Sequence, residues 1–233
     1  MKHLILASTS TLPEEKYLSY LLPTLAVFFE KATTITFLPY ARPNGISHDH
    51  YTRHVSQAFS KIGKKVVGLH EFNNPKEALT QAEAIFTGGG NTFVLVKALY
   101  DLELLQPLKM RVENGCPYLG CSAGSNIMGQ SMQTTNDMPI AMPKDFKTIG
   151  AIPYNINAHY LDPIPNLKHN GESRETRIKE FHTYHQIPVI GLREGSYLEV
   201  INEDIYLRGP HKARLFQQGQ AAEEVSEIKS KAI

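Results

Sequence analysis

Short apolar runs alternate with longer stretches of helical periodicity through the first half of the chain, and few architectures accept that order. "HLILAS", "TTITFLPYA", "KVVGLH", "EAIFT" and "CPYLG" read as strands. Between them, "HDHYTRHVSQAFSKIG", "PKEALTQA", "NTFVLVKALYDLELL" and "PLKMRVENG" carry apolar residues at helical spacing. Consecutive parallel strands need a crossover, and a helix is the usual one. The pattern predicts an α/β fold, a doubly wound, mostly parallel sheet with helices on both faces. "PEEKYLSYLLPTLAVFFEKA" also has helical spacing, with Pro23 as a break or kink inside it. After Met132 the pattern loosens. "AIPYNINAHY" and "PVIGLREGSYLEVINEDIYLRG" hold short strands, the latter read as a hairpin, and "EEVSEIKSKAI" reads as a polar helix end or tail. No repeat, low-complexity stretch or linker interrupts the chain, so one domain over residues 1–233 is expected.

Charge and cysteine content exclude several classes of partner. With 24 Lys and Arg against 23 Asp and Glu, the chain has no electrostatic footprint for nucleic acid. The apolar run at the N-terminus is too short for a membrane span and lacks the long apolar region of a secretory signal. Cys116 and Cys121 are the two cysteines, too few for a zinc spacing or a disulfide framework. A cytosolic protein with no metal, no cofactor and no membrane partner is expected. The sequence leaves the oligomeric state open, a homodimer included.

The chemistry-bearing stretch is "YLGCSAGSNIMG", Tyr118 to Gly129. Ser122 stands between Gly120 and Gly124, after an apolar strand and before a helix starting near Ala123. Ligands of open parallel sheets gather at the carboxyl ends of the strands. A serine nucleophile there needs a strained turn that lifts Oγ out of the sheet, with glycines where strand and helix approach closely. The Ala123 N–H is then placed to stabilise an oxyanion. The alternative is a plain Gly/Ser turn, and Cys121 is the neighbouring candidate nucleophile. "FTGGGNTF" repeats the strand–turn–helix arrangement one unit earlier, so Gly90 is a candidate second oxyanion donor. It lacks the Lys and Ser/Thr of a P-loop.

A serine nucleophile needs a base, usually a histidine oriented by a third group. His159 ends the apolar run "AIPYNINAHY", while His48, His50, His54, His169 and His211 lie in polar segments. His182 and His185 have metal-compatible spacing, but no third ligand is close in sequence. Asp137 in "TTNDMP" and Glu194 in "GLREGSY" are the candidate orienting acids. Spacing separates neither the histidines nor the acids.

The motifs "STLPEEKYL", "GGGNTF", "GCSAGSN", "TTNDMPI", "NINAHY", "GESRETR" and "VIGLREG", in this order, cover nearly the whole chain. Together they resemble the α-aspartyl dipeptidases of serine peptidase family S51. The resemblance implies a fold like that of the class I glutamine amidotransferases. It also implies metal-free cleavage of dipeptides that begin with aspartate. It makes Ser122 the nucleophile, His159 the base and Asp137 the relay acid, with Glu194 as the alternative acid. Arg174 is then the residue that recognises the substrate carboxylate, which a guanidinium can grip bidentately. On its residues alone Arg174 is a solvated charge in the first turn of a helix. A cyanophycinase-like hydrolase of β-aspartyl-arginine and a non-catalytic binder of small anions are the rival readings. Cys121 stands where relatives can carry an aromatic, so the pocket beside Ser122 is expected to differ in shape.

Overall fold

The computed structural model describes residues 1–43, 45–163 and 171–228. In chain order the first half holds β1 (His3–Ala7), α1 (Leu22–Phe28), β2 (Thr34–Leu38), α2 (His48–Phe59), β3 (Lys65–Gly68), α3 (Pro75–Thr80), β4 (Ala84–Thr87), α4 (Thr92–Asp101), α5 (Leu105–Glu113) and β5 (Tyr118–Cys121). There follow α6 (Ala123–Asn126), β6 (Asn155–Ala158), α7 (Arg174–Phe181), β7 (Val189–Leu192), β8 (Tyr197–Ile201), β9 (Asp204–Arg208), β10 (Ala213–Phe216) and β11 (Glu223–Val225).

The large sheet has seven strands in the order β3-β2-β4-β5-β1-β8-β9. The first five run parallel, and β8 and β9 join antiparallel at one edge. Strand alternation sends Ile5, Ile35, Phe37, Phe86 and Leu119 to one face, against Leu25 and Phe28 of α1 and Tyr51, Val55 and Phe59 of α2. Leu4, Leu6, Ile85 and Tyr118 face the other way, toward Leu79 of α3, Leu95 and Leu99 of α4 and Leu108 and Val112 of α5. Because both faces are covered, the parallel strands are apolar at nearly every position, as such strands must be. The doubly wound, mostly parallel sheet read from the sequence is thus present.

A second sheet was not anticipated. Its four strands run β11-β10-β7-β6, with β6 and β7 parallel and the others antiparallel. Ile156, Ile190 and Leu192 from it enter the same core as Leu4 and Leu6. Val189 and Phe216 point to its opposite side, where Ile178 of α7 covers them. The expected hairpin is β8–β9 alone, closed at Asn202 in the left-handed region (φ 57°). The turn between β7 and β8, with Gly195 at φ 84°, carries the chain from one sheet to the other. Residues Glu223–Val225 of the expected polar tail form β11, and residues 229–233 lie outside the described residues.

The long helical reading around Pro23 is corrected as well. Only Leu22–Phe28 is helical, with Pro23 in its first turn, where a missing N–H costs nothing. Glu14 and Leu18 before it have φ of 62° and 59°, which no α-helix can include. Among the described residues, no helix is long and apolar enough to cross a membrane.

Candidate active site

The carboxyl ends of β1, β4 and β5 lie side by side, with Thr87 opposite Gly120 and Ala7 opposite Cys121. Ser122 is the first residue beyond β5. Its backbone sits at φ 52°, ψ −111°, a strained conformation for a residue with a side chain. The Ser122 N–H donates to the Ala7 carbonyl at 3.0 Å, and the Ser122 carbonyl accepts from Ser125 N–H and Asn126 N–H. The turn is therefore bonded on both sides. The two flanking glycines are sterically required. A Cβ on Gly120 would lie 2.4 Å from the Gly124 carbonyl oxygen, and one on Gly124 would lie 2.1 Å from the Thr87 oxygen. Ser122 itself stays partly exposed while Cys121 and Ala123 are buried.

The triple glycine packs against this turn. A Cβ on Gly89 would come within 3.2 Å of Ser122 Cβ and 3.8 Å of its Oγ. Gly90 has φ 148° and passes so close to the Ala41 carbonyl that a Cβ would lie 2.3 Å from it. The N–H groups of Gly89, Gly90 and Ala123 take no hydrogen-bond partner among the described residues, so they are free to receive an acceptor from a ligand. Helix α6 is a single turn, so these individual N–H groups, rather than a helix dipole, are what the site offers.

His159 arrives from the second sheet. It follows β6, also has a left-handed backbone (φ 55°), and donates its N–H to Ser8 Oγ at 2.9 Å. Ser8 in turn donates to the Leu192 carbonyl at 2.6 Å. One hydroxyl at the end of β1 thereby ties the ends of β6 and β7 to the large sheet. Imidazole Nε2 lies 2.9 Å from Ser122 Oγ, and Nδ1 lies 2.5 Å from Glu194 Oε1. With the Nδ1 proton donated to the carboxylate, Nε2 is left to accept the serine proton. The His159 and Glu194 side chains are 38% and 41% exposed, so the array opens to solvent.

Asp137, placed first among the candidate acids, is not the partner of His159. Its Oδ2 accepts from the Thr92 N–H at 2.7 Å, the Thr92 hydroxyl at 2.6 Å and the Thr135 hydroxyl at 2.8 Å. Thr92 opens α4, separated from the triple glycine by the N-cap Asn91 alone, so the carboxylate braces the end of the glycine turn. Glu194 reaches the imidazole instead because β6 and β7 are parallel neighbours with Ala158 opposite Leu192, which brings their ends together.

Arg174 is the first residue of α7, whose N-cap Ser173 accepts from the Thr176 N–H. The guanidinium is half-buried and has no hydrogen bond or ion pair among the described residues. Burial pulls its pKa below the ordinary value, the neighbouring Arg177 adds to this, and Asp137 opposes it. Cys121 is fully buried on the α1/α2 face of the sheet, and burial pushes its thiol well above the ordinary range. Its side chain is therefore not presented as a nucleophile. His182 Nε2 is engaged by the Ile187 carbonyl and His185 stacks on Phe181. His54 lies against Tyr17 and His70 pairs with Asp49. His169 lies outside the described residues. A cleft of about 940 Å³ lined by Lys2, Lys109, Asp145, Lys147 and His185 contains none of the Ser122, His159 or Glu194 side chains. Cavity size is the weaker guide here, since acyl transfer needs a hydroxyl, an imidazole and a carboxylate in line.

Two structurally central residues escaped sequence reading. One is Ser8, in "LASTS" at the end of β1. The other is Asn126, which is buried. Its Nδ2 donates to Thr92 Oγ1 at 3.2 Å and Thr135 Oγ1 at 3.3 Å, and its Oδ1 accepts from the Ala158 N–H at 3.4 Å. A polar residue at an interior position of a buried turn was the available signal.

A serine, a histidine and a glutamate in hydrogen-bond line, on a strained turn of a parallel α/β sheet with free N–H groups beside it, make the constellation of a serine hydrolase. Residues 4–208 match the profile of peptidase family S51. The chain is 44% identical over 224 residues to a Streptomyces coelicolor protein named peptidase E, covering 96% of this chain and 91% of that one. It is 43% identical over 230 residues to a Drosophila melanogaster protein named a probable alpha-aspartyl dipeptidase, covering 97% and 95%. A crystal structure of a peptidase from an acI-B1 Actinobacterium superposes with a TM-score of 0.71 at 16% identity, over 98% of this chain and 96% of that one, a likeness of fold. The chain belongs to peptidase family S51, and it is a hydrolase.

Proposed function

We propose that the protein is a serine exopeptidase that hydrolyses dipeptides with an N-terminal α-aspartyl residue. The observation that carries this reading is the unbroken line from Glu194 through His159 to Ser122 Oγ. Ser122 Oγ attacks the peptide carbonyl as Nε2 of His159 takes its proton. Glu194 stabilises the imidazolium that forms. The N–H groups of Gly90 and Ala123 receive the oxyanion. The imidazolium then protonates the departing amine as the C–N bond breaks, leaving an aspartyl ester on Ser122. Water, deprotonated by His159, attacks that ester and releases aspartate and the free serine.

Arg174 supplies specificity in this reading. A half-buried guanidinium with no hydrogen bond or ion pair among the described residues is stabilised by a carboxylate, and it stays uncompensated when a neutral side chain occupies the site. The names of the relatives favour the α-aspartyl substrate over a β-linked one. The hydroxyl–imidazole contact disfavours a non-catalytic binder. Two buried free cysteines fit a reducing, cytosolic setting. A panel of X-Leu dipeptides varying only X tests the reading. Asp-Leu is the expected preferred substrate, and Ser122→Ala is expected to abolish its turnover. Equal hydrolysis of Asp-Leu and Ala-Leu, or an active Ser122→Ala protein, overturns it.

A further inference from the structure

An exopeptidase that cuts after the first residue must recognise a free α-ammonium group as well as a side chain. We infer that Asp137 receives the substrate's α-ammonium through Oδ1, its second carboxylate oxygen, so that Asp137 and Arg174 together read the two charges of an N-terminal aspartate. This rests on the aspartyl reading above and adds a residue to it.

The bonding of Asp137 divides its two oxygens. All three donors, the Thr92 N–H, the Thr92 hydroxyl and the Thr135 hydroxyl, bind Oδ2. Oδ1 accepts nothing among the described residues, and the side chain is only half-buried. The carboxylate is thus held rigidly by one oxygen and offers the other. Its surroundings are those of the reacting centre. On one side Asn91 Nδ2, just past the triple glycine, donates to the Met138 carbonyl at 2.8 Å. On the other, Asn136 Nδ2 donates to the carbonyl of Ala158, the residue before His159, at 2.7 Å. Asp137 therefore stands between the proposed oxyanion turn and the base. It also lies within electrostatic reach of Arg174. An aspartyl residue carries its ammonium and its carboxylate on adjacent carbons, so receptors for the two must be neighbours.

The other carboxylates in this region are committed. Glu194 holds His159, Asp162 and Glu224 hold Arg193, and Glu175 pairs with Lys179. A β-linked aspartyl substrate places its ammonium one carbon farther from the scissile bond, so this subsite also selects against it.

Succinyl-leucine is Asp-Leu without the amine, and it separates ammonium recognition from every other contact. Calorimetry on Ser122→Ala protein reads binding without turnover. That protein is expected to bind Asp-Leu about tenfold or more tightly than succinyl-leucine, the scale of one charge-assisted hydrogen bond. In Ser122→Ala/Asp137→Asn the preference is expected to vanish. The asparagine oxygen can keep the three donors while its NH2 replaces Oδ1 and repels the ammonium. Equal binding of the two ligands by Ser122→Ala alone overturns the inference without any change at Asp137. So does a preference that survives Asp137→Asn, or parallel weakening toward both ligands, which marks a purely structural brace. If the parent enzyme fails to hydrolyse Asp-Leu, the functional reading above falls on that separate measurement.

Discussion

Replacing Glu194 by glutamine removes one charge from the catalytic line and almost no volume, so its effect can be worked from the geometry. The carboxylate contacts Nδ1 of His159 at 2.5 Å, which sets the charge centres about 4 Å apart when the ring is protonated. At that separation the attraction is about 4 kcal/mol at an effective dielectric of about 20 and about 1 kcal/mol in water. Both side chains are near two-fifths exposed, at 38% and 41%, so solvent screens the pair toward the lower figure. A loss of about 1–2 kcal/mol falls on the transition state, where the imidazolium exists, which corresponds to about a 5- to 30-fold drop in kcat. Glutamine can still accept the Nδ1 proton through its carbonyl, so the ring keeps its tautomer and KM should change little. Steady-state hydrolysis of Asp-Leu by Glu194→Gln measures both constants. A kcat within threefold of the parent refutes the assignment of Glu194 as the partner that matters.

Three further outcomes are expected. Gly124→Ala drives a methyl into the Thr87 carbonyl, 2.1 Å from the Cβ position, and backbone cannot yield cheaply there; a Tm lowered by about 5–10 °C with loss of activity is expected by calorimetry and assay, and a fully active variant of parental Tm contradicts the elbow geometry. Arg174→Gln should reduce the Asp-Leu over Ala-Leu preference by about 10²-fold, measured as the ratio of kcat/KM values, because the uncompensated charge disappears; an unchanged ratio removes Arg174 from substrate recognition. Burial pushes the Cys116 thiol up to about 11 and Cys121 higher still, so Ellman's reagent at pH 8 should titrate neither thiol until denaturant is added; rapid labelling of Cys121 in native protein would show the α1/α2 face to be wrongly packed, and of Cys116 the opposite face.

The first sheet was legible because its information is local. Each parallel strand is an apolar run bounded by turn residues, and the serine turn declares itself through glycines that a Cβ at Gly120 or Gly124 would forbid. The second sheet was not legible, because β10 and β11 are short and mixed in polarity and gain their meaning from pairing, β10 with β7 and β11 with β10. The same long-range pairing decides between the acids. Asp137 and Glu194 are both single carboxylates in turn-like sequence, and only the β6–β7 register delivers Glu194 to His159. Pro23 shows the limit of periodicity. Apolar spacing continued straight through a segment whose backbone, left-handed at Glu14 and Leu18, cannot be helical.

The hydroxyl and its activating pair come from different sheets, joined at their ends by Ser8. During synthesis the serine turn leaves the ribosome well before the strands that bear the imidazole and the carboxylate. A truncated or half-docked chain therefore carries an inert alcohol. Competence to cut peptides arises only when the whole molecule has closed, and turnover itself becomes a readout of completed folding.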